Sequence, residues 1–155
     1  MRKEYMLAGQ NVGQIREYRV TNLPTIEESL PLTEIMSESA ATGKDIHNIY
    51  VIDKQKRLIG SISAKQLIEY IFPMTAISEH SRNSGLGWTP RVNAGVAGDI
   101  MNKVPVSLKD TDSLATAARL LMREGVSELP VVDDHMHLIG VFTLKELIAA
   151  YQKVV

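Results

Sequence analysis

Apolar residues in the second half of the chain fall into two alternating periods. Leu114, Ala117, Ala118, Leu121 and Met122 recur three and four apart, the stripe of an amphipathic helix. Asp110 or Thr111 suits its start, and Gly125 its stop. Pro130–Val132 and Leu138–Phe142 are short apolar runs on either side of the polar stretch Asp133–His137, which predicts a hairpin. Leu144, Leu147, Ile148 and Tyr151 then mark one face of a helix from about Leu144 to Gln152, and a short strand near Val104–Leu108 precedes the whole unit. The first half repeats this order. Leu32, Ile35 and Met36 lie on its first helix, where Pro31 is tolerable only in the first turn.

The repetition is also literal. Residues 48–71 align with 128–151 without a gap at an offset of 80, so that Asp53 meets Asp133 and Leu58-Ile59-Gly60 meets Leu138-Ile139-Gly140. Gly13-Gln14-Ile15 meets Gly98-Asp99-Ile100 at an offset of 85, and the extra residues of the first copy fall in the polar stretch Glu38–His47. The chain divides into a lead (1–11), a first copy (12–72), a linker (73–96) and a second copy (97–155). Each copy is a β-α-β-β-α unit too small to cover both faces of its own sheet. Two copies packed sheet to sheet bury one continuous core, an α+β architecture.

Composition removes function classes more than it adds any. The 155 residues contain no cysteine, which excludes disulfides, thiolate metal sites and cysteine nucleophiles. Lys and Arg number 17 against 18 Asp and Glu, whereas a nucleic-acid-coating surface needs a clear basic excess. No apolar run approaches the ~20 residues that span a bilayer. The N-terminus MRKEYMLAGQNVG has no apolar core of a secretory signal. A cytoplasmic protein with no membrane insertion and no nucleic-acid partner is expected.

The motifs GDIM (98–101), PVSL (105–108), DSLATAARLLMREGVSELPVVD (112–133) and LIGVFTLKEL (138–147) carry a resemblance to the CBS domain, named for cystathionine β-synthase. The first copy carries it more loosely in TIEESL, NIYVID and RLIGSISAKQL, and the tandem pair resembles a Bateman module. The resemblance implies a stand-alone regulatory module without catalysis or a required cofactor. It implies an adenine ligand (AMP, ADP, ATP or S-adenosylmethionine), a homodimer, and signal transduction to an effector protein on another chain. The alternative is a ligand-free dimerisation or interaction module with degenerate nucleotide sites.

In nucleotide-binding members the second hairpin strand ends in Gly-x-x-Ser/Thr-x-x-Asp, with the hydroxyl toward phosphate and the Asp on the ribose hydroxyls. This chain has Gly140, Val141, Thr143 and Glu146 in the second copy, and Gly60, Ser61, Ser63 and Gln66 in the first. Val141 suits an adenine wall, and Val106 on the preceding short strand joins the set. His47 and Arg82 are basic candidates for the phosphate side, with His80 and Arg91 beside them in the linker, whereas Glu128 repels phosphate. Thr143-x-x-Glu146 and Ser63-x-x-Gln66 are equally capping boxes. Capping is favoured for Gln66, and the two readings stay balanced for Glu146.

Two further motifs carry weaker signals. SRNSGLG (81–87) has the ingredients of an anion nest without a P-loop. His135 and His137 alternate in the hairpin turn as a metal pair would, but the spacing supplies no third ligand, and a solvated turn is the favoured reading. No catalytic constellation stands out.

Overall fold

A computed structural model describes residues 3–15, 23, 25–42, 48–71, 95–103 and 105–154. In chain order the elements are α1 (Lys3–Ala8), a 3-10 turn (Val12–Gln14), β1 (Thr25–Glu27), α2 (Leu32–Thr42), β2 (Asn48–Ile52), β3 (Leu58–Ser63) and α3 (Ala64–Ile71). They continue with α4 (Ala97–Ile100), β4 (Leu108–Lys109), α5 (Leu114–Glu124), β5 (Glu128–Val132), β6 (Leu138–Thr143) and α6 (Leu144–Val154). Two three-stranded sheets result, ordered β1-β2-β3 and β4-β5-β6. The architecture is α+β with the same unit built twice.

The second sheet is mixed. β4 runs parallel to β5 through Leu108↔Val131 and Lys109↔Val132, and β5 runs antiparallel to β6 from Glu128↔Thr143 to Val132↔Leu138. Of the strand expected at Val104–Leu108, Val104 lies outside the described residues, residues 105–107 are not strand, and the ladder comprises Leu108 and Lys109. Leu108 and Lys109 have ladder partners, and Pro105 brings no N–H to a ladder. The first sheet repeats the parallel pairing through Thr25↔Tyr50, Ile26↔Val51 and Glu27↔Ile52.

α5 buries Leu114, Ala117 and Leu121 of the stripe read from the sequence, but Ala118 is only half-buried and Met122, expected on the same face, is 78% exposed. Its N-cap is Ser113, not Asp110 or Thr111: the Ser113 hydroxyl accepts the Thr116 N–H at 3.1 Å, while Asp112 accepts the Lys109 N–H at 2.8 Å and closes the turn before it. Pro31 likewise lies just before α2 rather than inside it. Gly125 ends α5 at φ 63°. Its N–H reaches the Met122 carbonyl, and the Val126 N–H reaches Leu121, a Schellman closure. A Cβ on Gly125 would meet nothing within 4 Å, so Gly125→Ala isolates the backbone cost of a left-handed alanine. Denaturant unfolding is expected to show a loss of about 1 kcal/mol.

By packing, the chain divides into two compact units that cut across the sequence copies. One comprises Met1–Leu23, Lys56–Leu58 and Val106–Val155, and the other Pro24–Gln55 and Ile59–Pro105. The segment opening each sequence copy therefore packs in the unit that holds the other copy's sheet. Val12 and Ile15 are buried with Leu108, Leu114, Leu129, Val131 and Phe142. Ala97 is buried with Leu32, Ile35, Val51, Ile62 and Leu67. The two docking segments match in detail. The Asn11 N–H donates to Gln14 Oε1 at 2.8 Å and the Val96 N–H to Asp99 Oδ2 at 2.9 Å. The Gly13 N–H donates to the Asp110 carbonyl at 2.7 Å and the Gly98 N–H to Glu28 at 2.8 Å. A Cβ on Gly13 would stand 3.0 Å from that Asp110 oxygen, so a side chain here would push the Asp110 backbone back by a few tenths of an ångström.

Candidate functional site

The β6–α6 junction carries the second-copy candidates. Gly140 and Val141 lie on β6 opposite Val131 and Pro130, and both are buried. Val106 is half-buried and packs against the core of the same unit. Thr143 ends the strand, and Leu144 begins the helix with its N–H on the Ser127 carbonyl at 3.0 Å. Glu146 is only 8% exposed. Its Oε2 accepts the Thr143 N–H at 2.7 Å and also the Thr143 hydroxyl proton, while the Lys145 N–H reaches that hydroxyl oxygen at 3.2 Å. Glu146 thus serves the helix start through one oxygen. Oε1 makes no bond to another described residue, which leaves a half-committed carboxylate at the junction. Glu128 is the register partner of Thr143, one strand away.

The first-copy junction is closed more fully. The Ser63 N–H donates to Gln66 Oε1 at 2.8 Å, and the Gln66 N–H returns to the Ser63 hydroxyl at 3.3 Å. This is the reciprocal capping box, worth about 1 kcal/mol. The other end of the same amide, Nε2, donates to the Ile100 carbonyl at 2.8 Å. Next to it, Ser61 and Asn102 exchange backbone bonds of 3.1 and 2.8 Å. Met101 lies against Gly60, where a Cβ would come 2.9 Å from its Cγ and 3.1 Å from the Asn102 carbonyl. The segment Ile100–Asn102 therefore covers the candidate residues of the first copy, and the role of Ile100 was invisible in the sequence because the contact spans 34 positions. A groove of about 470 Å³ in the same unit is lined by Thr25, Ile26, Glu27, Ser29, Leu30 and Pro31. None of these was a sequence candidate, and no spacing signal marks them.

His47 and Arg82, with His80 and Arg91, lie outside the described residues, as does SRNSGLG. The hairpin turn carrying His135 and His137 is built on Asp133. Its Oδ1 accepts the N–H groups of His135 at 2.8 Å and His137 at 2.9 Å, and its Oδ2 lies 3.0 Å from His137 Nδ1. Desolvation pushes the Asp133 carboxyl up, but the His137 and His135 backbone N–H bonds and the His137 ring outweigh it and hold the group below the ordinary carboxylate value. Asp53 builds the first-copy turn in the same way, taking the Gln55 N–H at 2.9 Å. Lys56 and Met136 occupy the same left-handed turn position, at φ 63° and 66°. No group of three His, Asp or Glu able to hold a metal ion occurs among the described residues. No described helix is long and apolar enough to cross a membrane.

The CBS domain profile matches residues 15–73 and 97–153. The chloroplastic CBS domain-containing protein CBSX2 of Arabidopsis thaliana is 28% identical over 135 residues, 86% of this chain and 50% of CBSX2. The chain spans about half the length of such curated relatives, and 55% of CBSX1 of the same plant. The crystal structure of CBSX2 in complex with AMP matches with a TM-score of 0.68 at 24% identity, covering 94% of this chain and 98% of that one. The CBS domain pair of protein MJ0100, in complex with 5-methylthioadenosine and S-adenosyl-L-methionine, matches with a TM-score of 0.60 at 14% identity, covering 90% and 95%. The chain belongs to the CBS domain family.

Proposed function

We propose, from this membership of the CBS domain family, that the chain is a non-catalytic cytoplasmic sensor. Its second copy takes an adenosyl ligand at the β6–α6 junction, and the liganded form acts on a separate effector protein. The observation that carries the reading is the half-committed Glu146: Oε2 holds the helix start while Oε1 is left for a ligand hydroxyl, beside buried Val141. The structures of CBSX2 with AMP and of the MJ0100 pair with S-adenosyl-L-methionine support the ligand class. A signal arises only if the ligand binds one arrangement of the protein better than another.

Glu146 places a carboxylate at Thr143, so ligands with less phosphate charge are expected to bind better. In calorimetric titrations, S-adenosylmethionine is expected ahead of AMP, and AMP ahead of ADP and ATP. Glu146→Ala is expected to weaken binding at least tenfold, a change of about 1.4 kcal/mol. It also removes a cap worth about 1 kcal/mol of stability. Gln66→Ala is expected to lower stability alone. Absence of heat with all four ligands at millimolar concentration overturns the reading.

A second reading, a ligand-free dimerisation or docking module, is favoured by Gln66, whose amide is used at both ends inside the protein. Both readings share a homodimer. Its support is the exposed apolar residues Leu144, Ile148 and Tyr151 on α6, with Ile68 of α3 at the repeat-equivalent position of Ile148. Light scattering is expected to find a dimer that Ile148→Glu turns into a monomer. An unchanged mass would remove α6 from the interface.

A further inference from the structure

The tip of the β5–β6 hairpin holds chemistry that the adenosyl reading leaves unused. His137 Nδ1 lies 3.0 Å from Asp133 Oδ2. An ionised carboxylate accepts and cannot donate, so Nδ1 carries a proton in this pair, and in the neutral ring the lone pair is on Nε2. A carboxylate behind one nitrogen of an imidazole is the arrangement that prepares the other nitrogen for a metal. The His135 ring centroid stands 6.2 Å from that of His137, the planes 55° apart. Asp133 Oδ1 holds the backbone N–H of both histidines, at 2.8 and 2.9 Å. One residue therefore fixes both backbone positions and orients one ring.

We propose that His135 and His137 form a two-imidazole site for a borderline divalent transition cation, with Asp133 as the outer partner of His137 and water completing the shell. Two imidazoles sharing a tetrahedral ion have centroids about 5 Å apart, given metal–nitrogen bonds of about 2.0 Å. The exposed His135 ring therefore has to bring its centroid closer by roughly 1 Å. Nitrogen donors select against calcium and magnesium, and among the rest Cu²⁺ binds ahead of Ni²⁺ and Zn²⁺. Asp134 is not a ligand, because it pairs with Lys109 Nζ at 3.3 Å. With two protein ligands the site is open and exchangeable, unlike a closed structural zinc centre.

The test is titration of the full chain with CuCl₂, NiCl₂ and ZnCl₂ separately, by calorimetry and by nuclear magnetic resonance of the histidine rings. One saturable ion per chain is expected, tightest for Cu²⁺, with broadening of the His135 and His137 ring signals. His135→Ala and His137→Ala are each expected to weaken binding at least tenfold, and Asp133→Asn by about tenfold through loss of the orienting acceptor. His47→Ala with His80→Ala, the only other histidines, should leave the binding unchanged. The ring signals of the unaltered protein report the site even if a tip variant folds poorly. No saturable binding below about 1 mM, where ΔG of binding falls to about −4 kcal/mol, overturns the proposal. Binding that survives both tip variants, or broadening confined to His47 and His80, does the same.

Discussion

Deleting residues 1–15 is expected to unfold most of the unit built on β4, α5, β5, β6 and α6 while leaving the other unit folded. Val12 is fully buried and Ile15 is 3% exposed, both inside that unit's core. Burial of each contributes about 1.5–3 kcal/mol, so their loss with the cavity they leave costs about 5 kcal/mol. The deletion also removes three backbone hydrogen-bonding groups, two of which make the Asn11–Ser113 bridge. Val12 and Gly13 donate to Asp112 and Asp110 at 2.8 and 2.7 Å, and the Gln10 carbonyl takes the Leu114 N–H at 2.8 Å. Domains are stable by only about 5–15 kcal/mol. Hydrogen exchange should show the β5 and β6 amides losing protection, with those of β2 and β3 retained. Ile15→Ala, a milder version, is expected to cost about 2–5 kcal/mol in urea unfolding. Unchanged protection of β5 after the deletion would show that the opening segment is an ornament on the unit and no part of its core.

The second large effect is expected at Gly60. Valine there forces its branched carbon into Met101 and the Asn102 carbonyl, and overpacking of this kind costs about 1–3 kcal/mol. The valine is also expected to detach Ile100–Asn102 from β3, breaking the paired Ser61–Asn102 bonds and the Gln66–Ile100 bond. The total is expected near the upper end, about 3 kcal/mol. Met101→Ala should relieve part of it. A double-mutant cycle is therefore expected to give a coupling of at least about 1 kcal/mol. Strict additivity would mean that Met101 is not the obstacle.

The sequence makes some of this fold legible and hides the rest for definite reasons. The stripe Leu114, Ala117, Leu121 and the stop at Gly125 depend on neighbours within one helix, and they appear where the spacing puts them. The turn Asp133–His137 is equally local. Capping of α5 was misplaced because Asp110, Thr111, Asp112 and Ser113 are all competent caps. Only the geometry shows Asp112 spent on Lys109. Nothing in the spacing around Val12, Ile15 and Ala97 tells which sheet buries them, so the exchange of opening segments was unreadable. At the junctions the box spacing Thr143-x-x-Glu146 and Ser63-x-x-Gln66 is visible in the letters. What separates the two is tertiary: Gln66 turns its free end to Ile100, and Glu146 keeps one oxygen back.

The exchanged segments also set an order of events on the ribosome. Val12 finds its backbone partner at Asp112, one hundred positions later. Synthesis at roughly 5–20 residues per second therefore leaves this apolar stretch without a core for about five to twenty seconds. The unit of Pro24–Gln55 and Ile59–Pro105 has its docking segment once Asn102 is made and can close first, whereas residues 12–15 and Lys56–Leu58 wait for β5 and β6. Long-range closure of this kind slows folding. Expression of either copy alone, cut between residues 72 and 97, would produce a chain that carries the wrong opening segment and lacks the right one.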